Sequence, residues 1–173
     1  CYAAGQGYGD NWFICMGQTF AYNGSGSVSW SFDFVGNTEP GFDYSYAIVD
    51  TSGNDDDHVL LTNTGVVGGT ANLTLTPGVS MRSDAGNVVL KVCAASDGAY
   101  SDQDGLYPTL CGAIAVDDMS VSGGGISHST DFESDAGGWA LLAPAEGAGG
   151  EWADIVDIAD LPGVLTSCDC TVA

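Results

Sequence analysis

Positive charge is nearly missing from this sequence. Two basic residues, Arg82 and Lys91, stand against 23 acidic ones in 173 residues, giving a formal net charge of −21. Binding to nucleic acid needs Lys and Arg to neutralise phosphates, and docking on an anionic membrane needs the same cations. Both functions are excluded on charge. Also missing is any run of about 18 apolar residues that could cross a bilayer as a helix. No leader-like segment precedes Cys1, so the sequence reads as a mature form or a piece excised from something longer. No CxxC pair occurs, and His58 and His128 stand alone, which argues against zinc. HExxH, GxSxG and a phosphate loop are all absent, and no single acid is marked out as a general acid. The expectation is a non-enzymatic protein.

What is present is enough to fold. Hydrophobic residues make up 45% of the chain and aromatics 10%, against 14% charged. Acidic chains that stay disordered lack such residues. Six cysteines in a chain nearly free of lysine suit disulfides formed in an oxidising, extracellular compartment. Cys93 and Cys111 flank a hairpin-like excursion and could pair, with connectivity left open because six cysteines allow about 15 full pairings. Cys168 and Cys170 are too close to bridge each other comfortably, so they are expected to reach Cys1 or Cys15.

The periodicity is that of strands. In "SVSWSFDF", Val28, Trp30, Phe32 and Phe34 alternate with Ser27, Ser29, Ser31 and Asp33, the pattern of a half-buried strand. "FDYSYAIV" places Phe42, Tyr44, Tyr46 and Ile48 on one face. "ANLTLT" groups Leu73 with Leu75, "NVVLKVCA" is apolar on both faces apart from Lys91, and "AIAVDDMSVSG" reads as a further strand. Clusters of Gly, Asn, Asp and Pro between these runs specify turns. Together they predict an all-β, antiparallel sandwich. One helix is expected near the end, where Trp152, Ile155, Val156 and Ala159 have helical spacing before Pro162, although the Asp residues there oppose its dipole. The "SGGG" at 122–125 suggests a boundary between a unit at 1–125 and a segment at 126–173.

Several motifs resemble MAM-like jelly-roll domains of secreted bacterial proteins, including those at the C-termini of immune-inhibitor-A-type metalloproteases. They are "DFESDAGGW" with a following "GGEW", "GYGDNW", "TEPGFDYSY" and "VDDMSVSG". The resemblance implies a jelly-roll β-sandwich, and it implies one displacement. In the family the Phe-Glu/Trp segment comes first, whereas here it comes last. Residues 1–125 therefore resemble a jelly roll lacking its opening strands, and 126–173 the opening of another copy. The sequence would then be a window cut from tandem repeats, a circular permutation, or a unit that donates its C-terminal segment head-to-tail to the next copy.

The same resemblance implies structural cation sites, with Ca²⁺ the natural ion for oxygen ligands. By position the acids are Glu39 and Asp43, Asp117 and Asp118, and Asp131 and Glu133. Strand alternation adds that one of Asp117 and Asp118 turns inward and needs a counter-charge. The plain alternative at Glu39-Pro40-Gly41 is a type II turn, with Asp43 capping backbone amides. Asp102 and Asp104 resemble half of a Ca²⁺ loop, but Tyr100 stands where its first carboxylate belongs. Most other acids, "GNDDDH" included, read as solvated surface. Aromatics that could stack on sugars are Tyr2, Tyr8, Trp12, Tyr100, Tyr107, Trp139 and Trp152, with Tyr8, Trp12, Tyr100 and Tyr107 the principal candidates. Asn23 and Asn72 head glycosylation sequons. The expected function is a secreted structural or adhesive unit of a repetitive surface assembly, or alternatively a carbohydrate-binding or accessory module of a larger secreted hydrolase.

Overall fold

Alternating apolar residues pair into two antiparallel sheets in a computed structural model that describes residues 8–51, 57–109 and 112–142. Nine strands follow in order: β1 Phe13–Tyr22, β2 Val28–Asn37, β3 Tyr44–Asp50, β4 Asp57–Asn63, β5 Val66–Leu75, β6 Gly86–Ala95, β7 Ile114–Gly123, β8 Ile126–Thr130 and β9 Ala140–Leu141. One sheet has the order β4-β3-β6-β1-β9, the other β5-β2-β7-β8. The described residues contain no helix. The helix expected around Trp152 lies outside them. So do Cys1, Cys111, Cys168, Cys170, Tyr2, Trp152 and most of "GNDDDH".

The inner faces of the two sheets share one core. Trp30, Phe32 and Val28 from β2, Leu90, Val88 and Val92 from β6, and Met119 and Val121 from β7 are buried in it. Strand β3 keeps the expected split, with Tyr44, Tyr46 and Ile48 on one face and Ser45, Ala47 and Val49 on the other. Its aromatic face, with Tyr44 and Tyr46, is the outer one, and the core face is Ser45, Ala47 and Val49. Phe42 falls before the strand in a turn and is exposed. Small residues on the core face of β3 fill the space opposite large ones. Strand β1 carries no such stripe; Gln18 interrupts its inward row of Met16, Phe20 and Tyr22, which hides it from a periodicity reading.

Cys93 bonds to Cys15, not to Cys111. The two cysteines are directly opposite in the β1–β6 ladder, with Cα atoms 4.1 Å apart and a sequence separation of 78. Adjacency across a ladder, which sequence spacing does not show, decides this pairing. With Ile48 the disulfide forms a small cluster, against which Tyr46 and Leu142 pack.

The glycines at 123–125 do not separate two bodies among the described residues. All three have positive φ (100°, 59° and 83°) and form the tight turn between β7 and β8. A side chain at 124 would meet the Tyr22 ring at 2.5 Å, and one at 123 the Ser27 carbonyl at 2.4 Å, so only glycine fits. Beyond this turn β8 pairs with β7 and β9 with β1. The segment between them places Phe132 and Trp139 in the common core, where Trp139 stacks on Trp30 at 6.1 Å.

Candidate metal centre

Three carboxylates from two chain segments converge at one end of the sandwich. Glu39, Asp43 and Asp97 each present an oxygen within 4.8 Å of the others. The first two come from the turn before β3. There the amides of Phe42 and Asp43 donate to the Glu39 carbonyl at 3.3 and 3.1 Å, and Gly41 takes φ 83°. The expected type II geometry is therefore present. Thr38, itself buried, donates from Oγ1 to the Asp43 carbonyl at 3.1 Å and accepts from the Gly65 amide at 3.0 Å. Asp97 follows β6. Its position is fixed by the exchange between Ser96 and Trp12, whose amides donate to the Trp12 carbonyl and the Ser96 Oγ at 2.9 Å each.

The centre of the group is Asp43, which is fully buried. Its Oδ1 accepts the Asp97 amide at 2.9 Å, as a capping role predicts; the Tyr8 hydroxyl stands beside the carboxylate, but no donor is in good hydrogen-bonding geometry with Oδ2. A buried carboxylate oxygen without a donor or cation is a large electrostatic penalty. Neither basic residue relieves it: Lys91 pairs with Asp50 at 3.2 Å and Arg82 with Asp84 at 2.9 Å. The neighbouring groups register the accumulated negative charge. Desolvation, followed by repulsion from Asp43, Asp97 and Asp104, pushes the Glu39 carboxyl above its ordinary range. Burial, then the adjacent Asp43 carboxylate, raises the Tyr8 hydroxyl well above the usual tyrosine value. Burial, then Glu39 and Asp43, also raises the Tyr107 hydroxyl. Three carboxylates, one of them buried with an unsatisfied oxygen, are a donor set that fits Ca²⁺. The third member, Asp97, escaped sequence reading because "AASDG" looks like an ordinary turn.

The second set of expected ligands is also brought together, but differently. On β7 the pairing with β2 slips by one residue between Ser31 and Asp33, and Asp118 adopts φ 47°. This bulge absorbs one residue. Val116 and Met119 can therefore both meet the core, and neither Asp117 nor Asp118 turns inward. The expectation of one buried acid here is corrected by the bulge. Asp117 Oδ1 accepts the Asp118 amide at 2.8 Å, and Asp131 Oδ1 the Glu133 amide at 3.2 Å. Desolvation, with the charges of Asp118, Glu133 and Asp131 adding to it, raises the Asp117 carboxyl against the lowering effect of that amide.

Asp102 and Asp104 brace their own loop. The carboxylate of Asp102 accepts the Thr109 amide and hydroxyl at 3.1 and 3.2 Å, and that of Asp104 the amides of Tyr100 and Leu106 at 2.9 and 2.8 Å. Among the aromatic candidates, Tyr8 is buried and offers no ring face to a sugar. Trp12 and Tyr107 pack against the Tyr8 cluster, while Tyr100 is exposed. No family model matches the chain, and no curated protein does.

Proposed function

We propose that this chain is a non-enzymatic structural or adhesive unit of a repetitive extracellular assembly, a filament or surface layer, stabilised by Ca²⁺. The observation that carries this reading is the way the core is closed. Residues 126–142 supply an edge strand, Phe132 and Trp139 to a sandwich that they enter through the 123–125 turn. A segment that fills its own core can fill that of a neighbour with the same contacts, and such exchange is head-to-tail, so it propagates. The jelly-roll reading has support in the nested pairing of β3 with β4, β2 with β5 and β1 with β6. In that scheme β8, lying beside β7, takes the place of the opening strand, as the MAM-like order displaced to the C-terminus implies. Secretion is part of the same proposal, since the Cys15–Cys93 bond persists in an oxidising compartment.

The experiment uses the β7–β8 register, in which Ser122 opposes Ser127. In a Ser122→Cys/Ser127→Cys chain folded at high concentration, exchange links one copy to the next and gives a ladder of covalent oligomers. A product that is monomeric throughout, with the new disulfide closed within each chain, removes the filament. The carbohydrate-binding alternative has one observation in its favour, the exposed ring of Tyr100. A sugar-dependent change in fluorescence lost in Tyr100→Ala would support it.

A further inference from the structure

We infer that β5 is a self-association edge, through which two copies of this chain pair antiparallel across a two-fold axis. This does not rest on segment exchange, because it uses the opposite edge of the same sheet. Strand β5 ends the order β5-β2-β7-β8, and among the described residues no strand pairs with its outer side. It is ten residues long, and its register with β2 runs from Val28–Leu75 to Asn37–Val66 without a shift. Edge strands in soluble proteins are normally blunted by charge, proline, a bulge or shortness. The sequence "VVGGTANLTL" has no charge and no proline, its ladder has no bulge, and Val66 is 78% exposed.

Charge selects the partner. No Asp or Glu occurs between Asp57 and Asp84, although the chain carries 23 acids. That stretch contains β5 and nearly all of β4, the edge strand of the other sheet. Two copies at −21 each repel one another everywhere else, and here the repulsion is least. A self-paired edge also has the geometry to close. A two-fold axis perpendicular to the sheet must set residues of the same face opposite each other, so paired numbers sum to an even value. Two such axes each pair nine of the ten residues of β5, one through Thr70 and one through Ala71, and the proposed pairing uses the first. It sets Thr70 against Thr70, Gly68 against Asn72 and Val66 against Thr74 of the second copy, all small or uncharged.

Sedimentation of the full chain over a concentration series is expected to show reversible dimers. Thr70→Lys keeps a compatible neighbour in its own sheet, because Thr70 lies opposite Asp33 and donates to it at 2.6 Å. Across the axis it sets two lysines face to face, and dimer affinity should fall roughly tenfold or more. Thr70→Cys should form a disulfide with its own copy on mild oxidation, found by mass in a peptic peptide containing residue 70. Ser129→Cys, on the opposite edge strand β8, should not. A wild-type chain monomeric at every concentration, or dimers indifferent to Thr70→Lys with the residue 70 thiols unlinked, overturns the inference.

Discussion

Two groups of carboxylates sit on this sandwich, and burial distinguishes them more than charge. Glu39 and Asp97 stand beside Asp43, which is fully buried and has one oxygen without a hydrogen bond. Asp117, Asp118, Asp131 and Glu133 also gather negative charge around Asp117, yet none of the four is buried. Water and backbone amides can satisfy the second group. At the first, Glu39 is half-buried and Asp97 exposed, but Asp43 is sealed from solvent, and the chain's two cations are already paired with Asp50 and Asp84. The case for proposing an ion at the first group rests on the burial of one carboxylate, and counting acids would have ranked the two groups equally.

The largest effect expected from this difference is on thermal stability. An ion bound only by the folded state contributes about 2.7 kcal/mol at a hundredfold excess over Kd. For a chain of this size that is roughly 5–10 °C in Tm. Calorimetry with and without Ca²⁺ should show this rise, and Asp43→Asn should abolish it while raising the Tm of the ion-free protein. A Tm unmoved by Ca²⁺ or chelator in the wild type would break the contrast. Next in size, Asp97→Ala removes one donor but leaves Asp43 in place. It should weaken Ca²⁺ by about tenfold, or roughly 1.4 kcal/mol, read by isothermal titration.

Acid titration sharpens the contrast further, and its sign depends on the ion. A carboxyl whose folded pKa is raised weakens the fold when ionised. The loss is therefore present at neutral pH and is relieved as pH falls through the raised value. Glu39 and Asp117 are both of this kind. Without divalent ions, stability should rise as pH is lowered from neutral towards the carboxylate range. With Ca²⁺ the order reverses, because the ligands have to stay deprotonated and protons compete for them. Melting temperatures at several pH values, with and without Ca²⁺, would reveal a crossing pair of curves; parallel curves would deny the ion its place among these acids.

How much of this could be read from the residues varied with the kind of contact. Strand β2 was legible because its neighbours impose a strict alternation on Val28, Trp30 and Phe32. The acids Glu39 and Asp43 were legible because one turn holds both. Asp97 was not, since it joins them only through the pairing of β3 with β6, a register set by two complete strands. The Cys15–Cys93 bond is hidden for the same reason. The bulge at Asp118 cancels the inward turn that simple alternation demands of one acid there, and no residue in "VDDMS" announces it. Local geometry was in the sequence; whatever depended on lateral strand order was not.

The smallest expected effect tests the second group directly. Asp117→Asn keeps an oxygen to accept the Asp118 amide and removes one of four mutually repelling charges. Because Asp117 is only partly shielded from solvent, the gain in stability should be a few tenths of a kcal/mol, on the order found for exposed charge pairs. The variant should respond to Ca²⁺ as the wild type does. If instead Asp117→Asn lost stability and the response to Ca²⁺ together, as Asp43→Asn should lose the response, the exposed group would be the ion's seat. Burial would then be the wrong criterion for choosing between them.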